Sequence, residues 1–380
     1  MEPPAERRIA VTGGGTAGHI LPALEFLRVY RREFGAKGFF IGCAAGLEGR
    51  LVPAHGERLE VIPGLPWARQ GLAGKLRAVA CLPAGFWAAR RILRREKVQL
   101  AIGAGGYAAF SACLAAYSLG IPAVIHEANV QPGLANRIAA RFASLVCVGF
   151  AETGRRVRGH VEVTGVPIGA AARSAQRDTP PWRFLVLGGS EGSPVLNREA
   201  PALFGELRRR GMVFSVCHIS GFGDPAAIAR AYEAAGVEAR VDSFIEDMAS
   251  VYEGATLAIA SAGAHSMAEL SAAAIPSFLV PLPGAANDHQ TANAAAYAAR
   301  TGATVVPEAQ WNSGRIADRI AAIVSNPAEL RLLRAAAAAW NNIDAALHVV
   351  RACERILAAR EPASNTFGSP MIAGRADSQK

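Results

Sequence analysis

Cysteine is scarce in this 380-residue chain: Cys43, Cys81, Cys113, Cys147, Cys217 and Cys353 lie far apart and never form a C-x-x-C pair. That spacing argues against a disulfide scaffold or a structural zinc site and fits a reducing, cytosolic setting. No D-x-D occurs, so there is no obvious carboxylate pair to hold a divalent ion on a pyrophosphate. The Gly-Lys-Ser/Thr ending of a Walker A loop is missing as well. The first eight residues are polar and lead straight into a strand-like Ile9-Ala10-Val11, which leaves no room for a secretory apolar region. One long uncharged run does exist, the 28 residues 98–125, and by length alone it can span a bilayer. Gly103, Gly105 and Gly106 break it early and Gly120 with Pro122 break it again, which predicts strand, turn, helix and strand rather than a membrane helix.

What the chain has in quantity is apolar sequence, 51% hydrophobic against 19% charged. That is enough for one full core or two and excludes disorder as the main state. The net charge of +9 is uneven: residues 1–172 hold 21 Lys and Arg against 11 acids, whereas 173–380 hold 19 against 20. Residues 65–97 alone carry eight basic residues and one acid, interleaved with Trp67, Phe86 and Trp87. Such a stretch predicts an anionic partner, with the aromatic rings entering a headgroup boundary while Arg and Lys meet anionic lipid. No helix-turn-helix, RNP or zinc pattern accompanies it, so nucleic acid is not expected.

Short apolar runs alternate with helical patterns: strands near 9–11, 38–41, 100–102 and 123–125, and a helix near 22–33. This is the pattern of parallel β-α units. A second series follows a Pro/Arg/Ala-rich bridge around 167–182, with strands near 184–187, 214–219, 257–260, 278–280 and 304–306. Two doubly wound domains with a ligand cleft between them are therefore expected. The boundaries expected are 7–166, 167–340, a C-terminal helix over 341–360 that crosses back to the first domain, and a disordered tail over 361–380.

The chemistry-bearing motifs fall at predicted strand ends, the edge that lines the crevice of an open α/β sheet. Gly13-Gly14-Gly15-Thr16-Ala17-Gly18-His19 leads into a helix and can turn backbone N–H groups toward an anion. It matches G-x-G-x-x-G only loosely, and no acidic residue closes the second strand, so a dinucleotide site is not indicated. A second glycine turn runs from Gly103 to Tyr107, and His126-Glu127-Ala128-Asn129 follows the next apolar strand. In the second half, Gly188-Gly189-Ser190-Glu191-Gly192-Ser193, then Ser261 to Ser266 with Glu269, then Asp288-His289-Gln290 with Asn293, supply N–H groups, hydroxyls and a carboxylate. Phosphate at the glycine turns and ribose at a carboxylate make a nucleotide-sugar site chemically sensible, with positive helix ends stabilising the leaving group.

Taken in order with Gly46-Leu47-Glu48, Leu196-Asn197 and Phe244-Ile245-x-Asp247-Met248, these motifs resemble the MurG family, the UDP-N-acetylglucosamine:lipid I N-acetylglucosaminyltransferases of peptidoglycan synthesis, over roughly residues 8–355. The resemblance implies a two-domain GT-B α/β fold and inverting, metal-independent glycosyl transfer without a cofactor. It implies UDP-N-acetylglucosamine and a polyprenyl-diphosphate-linked muramoyl peptide as partners, at the cytoplasmic face of an anionic membrane to which the enzyme is peripheral. Carried onto matching positions, Ser190 contacts the diphosphate, Ile245 the uracil, Glu269 the ribose and Gln290 the sugar. Ala264, His265, Ser266, Met267, Ala268 and Asn293 belong to the same donor site, and Thr16, Ala17, Gly18 and Asn129 face it from the N-terminal side. His19 and Glu127 are the candidate catalytic groups. Trp67, Arg69, Lys75, Phe86, Trp87, Arg90, Arg91, Arg94 and Arg95 form the expected membrane face.

The chain departs from the family pattern at Val166, Gly169 and Ser261, where Asn or Arg is usual, and at Ala128, where Gln is usual. Cationic hydrogen bonds beside a pyrophosphate are worth roughly 1.5–3 kcal/mol each, and a protonated His265 is the expected partial substitute. Another nucleotide sugar or acceptor, or a non-catalytic binding role, stays open as the alternative.

Overall fold

The structure is a computed structural model that describes residues 7–44, 46–65, 72–169, 179–189, 191–340 and 344–360. The tail expected over 361–380 lies outside these.

Seven parallel strands form the first sheet: β1 (Arg8–Thr12), β2 (Lys37–Gly42), β3 (Leu59–Val61), β4 (Leu100–Gly103), β5 (Ala123–Glu127), β6 (Leu145–Val148) and β7 (Val161–Val163), in the order β3-β2-β1-β4-β5-β6-β7. Its helices are α1 (Ala17–Phe34), α2 (Glu48–Ala54), α3 (Leu72–Arg95), α4 (Gly106–Ser118), α5 (Leu134–Ala139) and α6 (Ala151–Gly154). The second sheet has β8 (Trp182–Leu187), β9 (Phe214–Ile219), β10 (Ala239–Asp242), β11 (Leu257–Ala260), β12 (Ser277–Leu279) and β13 (Thr304–Val305), in the order β10-β9-β8-β11-β12-β13, again parallel. Around it lie α7 (Pro194–Arg209), α8 (Pro225–Ala234), α9 (Met248–Tyr252), α10 (Ala264–Ala272), α11 (His289–Thr301), α12 (Ser313–Val324), α13 (Pro327–Trp340) and α14 (Ala345–Ala358). The two doubly wound units expected from the alternating pattern are both present.

The central strands β4, β5, β6 and β11 are buried along their whole length, because a parallel sheet is covered by helices on both faces and its strands need no polar side. The uncharged run 98–125 divides into β4, α4 and β5, as its glycines predict. Among the described residues no helix is long and apolar enough to cross a membrane. One expectation shifts: α1 begins at Ala17 and carries Pro22 inside it. The glycine motif therefore includes the first turn of the helix, and His19 rides on that turn rather than on the preceding loop.

Two contacts bind the ends of the chain to this framework. Ala346, Val349, Val350 and Cys353 of α14 enter the core that Ile20, Leu24, Leu27 and Tyr30 of α1 form with β1 and β4. The Tyr30 hydroxyl donates to Glu354 at 2.7 Å, and Arg7 pairs with the same carboxylate at 3.4 Å. At the end of α13, Trp340 packs against Tyr297 of α11 and Phe150 beyond β6, with ring centroids 4.8 and 5.1 Å away.

Replacing both Val349 and Val350 with alanine removes four buried methyl groups from the α1–α14 seam and should cost about 3–5 kcal/mol of stability. Urea unfolding checks this. A loss below about 1 kcal/mol would place α14 outside the cooperative unit.

Candidate active site

The strand ends of the two sheets meet around an apolar contact in which Val130, Phe150, Val166 and Ile168 pack on Ala264, Met267, Ala268 and Tyr297. Beside it the turns after β1, β4 and β5 face those after β11 and β12. The two sides also approach at Gly18, where an added Cβ would lie 3.5 Å from the His265 Nδ1.

On the first side the turns after β1 and β4 interlock. The Gly14 amide donates to the Gly105 carbonyl at 3.1 Å, and a Cβ on Gly106 would strike the Gly14 carbonyl, so only glycine allows this approach. The neighbouring Gly105, at φ 108°, leaves the space that the His19 ring occupies: a Cβ there would sit 3.0 Å from Nε2. His19 Nδ1 donates to the Gly14 carbonyl at 2.9 Å, with the Thr16 hydroxyl 3.3 Å away. A carbonyl can only accept, so the neutral ring carries its proton on Nδ1 and presents a lone pair at Nε2. Nε2 has no partner among the described residues. The Ala17 and Gly18 amides open α1 without a side-chain cap, as orphan donors at the positive end of the helix.

Glu127 is placed differently. It is buried, and its two oxygens accept from the Asn129 amide at 2.9 Å, the Asn129 side chain at 3.2 Å, the Gly133 amide at 3.0 Å and the Asn136 side chain at 3.0 Å. With its lone pairs occupied it organises the 127–136 loop and is not poised to take a proton. Asn129 is consumed in turn, since its carbonyl oxygen accepts from Asn293 at 3.0 Å.

On the second side α10 starts at Ala264 with no side-chain cap, so the Ala264, His265 and Ser266 amides are unpaired within the helix. Glu269 lies one turn on; the Tyr252 hydroxyl donates to its Oε2 at 2.7 Å, and burial raises its pKa. Gln290 accepts at Oε1 from the Ala262 and Leu282 amides, at 3.2 and 3.0 Å, which leaves its NH₂ as the donor end. Ile245 is half-buried against the core beneath β9 and β11.

Several expectations are corrected here. Met267 and Ala268 are fully buried in the apolar contact, and the Met267 amide is bonded to Gly263 at 3.0 Å. Asn293 is fully buried too: it accepts from the Val130 amide at 2.8 Å and donates to Asn129 and to the Ala262 carbonyl. It joins the two sides and does not face the cleft. Burial and the nearby His126 and His19 push the His265 pKa down to about 3, which works against the protonated form expected there. Ser190 lies outside the described residues. Glu48, at the start of α2 beneath the first glycine turn, carries an unexpected buried carboxyl; its only sequence signal is its place in the Gly46-Leu47-Glu48 motif.

Trp67 and Arg69 also lie outside the described residues, as does the side chain of Lys75. On the described part of α3, Trp87 is 65% exposed, packs edge-on against half-buried Phe86, and has the Arg90 guanidinium 6.0 Å from its ring. Arg91 and Arg94 are exposed with no acidic partner among the described residues. Arg95 is paired with Glu60 and Glu96, at 2.7 and 2.9 Å, and its charge is largely spent there. Among the described residues no three of His, Cys, Asp and Glu are grouped to hold a metal ion.

Two family descriptions match the chain: the N-terminal domain of glycosyltransferase family 28 over residues 9–148 and its C-terminal domain over 183–349. Curated relatives include the UDP-N-acetylglucosamine–N-acetylmuramyl-(pentapeptide) pyrophosphoryl-undecaprenol N-acetylglucosamine transferases of Magnetococcus marinus, 37% identical over 86% of this chain and 90% of the relative, and of Sorangium cellulosum, 36% identical over 97% and 92%. Among solved structures, Acinetobacter baumannii MurG superposes with a TM-score of 0.75 at 28% identity, covering 92% of this chain and 99% of that one. A kitacinnamycin glycosyltransferase at 15% identity and a TM-score of 0.66 shares the fold.

Burial holds His126, His218 and His265 below the ordinary histidine pKa, His218 at about 4. The unfolded chain therefore binds more protons than the folded one below about pH 6.5, so stability is full above that pH and is lost as pH falls toward 4. Between pH 7.5 and 5, His265→Gln should lose about 1–2 kcal/mol less than wild type, as it lacks the most strongly shifted group. Urea midpoints at the two pH values measure this, and an identical loss in both proteins would contradict it.

Proposed function

The chain belongs to glycosyltransferase family 28, within the MurG family, and from that premise we propose that it transfers N-acetylglucosamine from UDP-N-acetylglucosamine to the muramoyl 4-hydroxyl of lipid I, with inversion, forming lipid II. The fold is GT-B, two Rossmann-like units facing across the cleft. The observation that carries the residue-level reading is the opposition of an unpartnered His19 Nε2 to the uncapped start of α10 across Gly18 and His265.

His19 Nε2 accepts the proton of the attacking hydroxyl as its oxygen bonds to the anomeric carbon. The bond from that carbon to the diphosphate oxygen breaks, and the charge left on UDP is met by the Ala264, His265 and Ser266 amides at the positive end of α10. Glu269 has Oε1 open for a ribose hydroxyl, the Gln290 NH₂ faces a sugar oxygen, and Ile245 stands at the base-binding end. The uncapped starts of α1 and α4 are the matching donors for the acceptor's diphosphate. Glu127 holds the acceptor loop in place and takes no proton.

A lipid-linked acceptor stays in the bilayer, so the enzyme must meet it there. The exposed stripe of Val79, Trp87, Arg91 and Arg94 on α3 is the face that docks on an anionic leaflet, at the cytoplasmic side where a nucleotide sugar is available.

With radiolabelled UDP-N-acetylglucosamine and a lipid I analogue, wild type should form the disaccharide product, and His19→Gln should lower kcat by about 10²–10⁴-fold with donor affinity unchanged. Turnover near wild type would move the base elsewhere. For the membrane, binding to anionic vesicles should fall with salt, and replacing Arg91 and Arg94 with Ser should weaken it about thirtyfold at low salt, near 1 kcal/mol per charge. Equal binding to neutral vesicles in a sedimentation assay would reduce the stripe to a solvated helix face.

A further inference from the structure

We propose that Glu48 is a positioning residue for the base: its carboxyl, sealed beneath the first glycine turn, fixes the Gly14 carbonyl that keeps the proton on His19 Nδ1. The inference rests on His19 acting as the base.

Glu48 is fully buried at the first position of α2, and its Oε2 has no hydrogen-bond partner among the described residues. No described cation pairs with it. Burial raises its pKa, and only the amides of Glu48 itself, Gly15 and Cys43 and the Tyr107 hydroxyl oppose that rise. Taking a carboxyl out of water without a cation costs several kcal/mol, and leucine or methionine would fill the same volume without that cost. The group is therefore better explained by what it holds.

What it holds are the two glycine turns of the acceptor side. A Cβ on Gly14 would lie 2.6 Å from Oε1, one on Gly42 would lie 3.1 Å from the Glu48 side chain, and one on Gly46 would collide with Oε2. Three glycines thus open the space for this carboxyl, which explains why Gly46-Leu47-Glu48 occurs as a unit. The carboxyl packs directly against Gly14 of the first turn, and the Tyr107 hydroxyl reaches Oε1 at 3.4 Å from the second. Between these points lies the Gly14–Gly15 peptide. Its carbonyl accepts from His19 Nδ1 at 2.9 Å, so a carboxyl filling the space beneath Gly14 holds that peptide with its oxygen aimed at the ring. If the peptide turned, the bond that selects the tautomer would be lost and Nε2 would carry the proton part of the time, blocking it as a base.

The test is nitrogen-15 side-chain spectroscopy of the histidines in the full chain, with the His19 signals identified among the eight histidines by their loss in His19→Gln. Wild-type His19 should carry its proton on Nδ1. Glu48→Ala should lose that preference and lower kcat by about tenfold or more, while the Kd for UDP-N-acetylglucosamine, bound mainly by the other domain, stays unchanged. Glu48→Gln retains an acceptor oxygen and should restore both tautomer and most of kcat. A wild-type ring protonated on Nε2 overturns the proposal even if Glu48→Ala does not fold. So does a folded Glu48→Ala with the wild-type tautomer, which would leave Glu48 a packing residue. The tautomer is read without turnover, so this result is separate from the His19→Gln kinetics that decide whether His19 is the base at all.

Discussion

The carboxamide of Asn293 is the interaction on which the site depends. Fully buried, it accepts from Val130 and donates to Asn129 on one sheet while donating to Ala262 on its own. Each unit is a complete α/β sandwich, and an interface between two such units is ordinarily free to shear. A buried amide with two of its hydrogen bonds running across the boundary, set in an apolar contact, resists that shear because any slip leaves buried polar groups unpaired. The same helix carries Gln290 one turn earlier, and the same loop carries Glu127. The donor-facing and acceptor-facing groups are thereby referred to a common point.

Among the described residues, little positively charged side chain faces the cleft. Burial lowers the pKa of His126 and His265, Val166 is committed to the apolar contact, and Ser261 is buried beside Gly189. What remains is backbone: uncapped starts of α1, α4 and α10 converge on the cleft. Each offers about half a unit of positive charge that needs no reorganisation. Gly169 is exposed, and a Cβ added there would meet no described atom within 4 Å, so the fold leaves room at that position for a larger side chain. Because a peptide dipole points where the backbone points, loop geometry, and hence glycine placement, decides where these helix starts present their positive charge.

Most of this architecture was legible in the sequence, for a physical reason. Parallel central strands are apolar on both faces, so 100–102, 123–125, 214–219 and 257–260 stand out as runs between glycine turns, and they fall within β4, β5, β9 and β11. Three of the four edge strands, β3, β7 and β10, do not stand out, because Leu59–Val61, Val161–Val163 and Ala239–Asp242 keep polar, partly exposed residues that read equally well as loop. The start of α1 was hidden likewise, since Gly15-Thr16-Ala17-Gly18 has the composition of a turn and becomes helix only because the sheet and Gly105 leave the first turn its place.

The site residues divide by a different rule. A sequence names the polar groups at strand ends, but it cannot tell a group aimed at ligand from one aimed at a neighbour, since both are polar and both sit in glycine-rich turns. His19, Glu269 and Gln290 keep an open atom, whereas Glu127, Asn129 and Asn293 spend theirs on one another. The distinction is tertiary: Asn129 and Asn293 are 164 positions apart and only the packed interface brings them to 3.0 Å. Glu48 shows the converse, a carboxylate marked in the sequence only by its place in Gly46-Leu47-Glu48, for which Gly14, Gly42 and Gly46 leave space in the interior. Buried polarity of this kind is set by which backbones approach closely enough to exclude water, so it is decided after the elements have packed and not before.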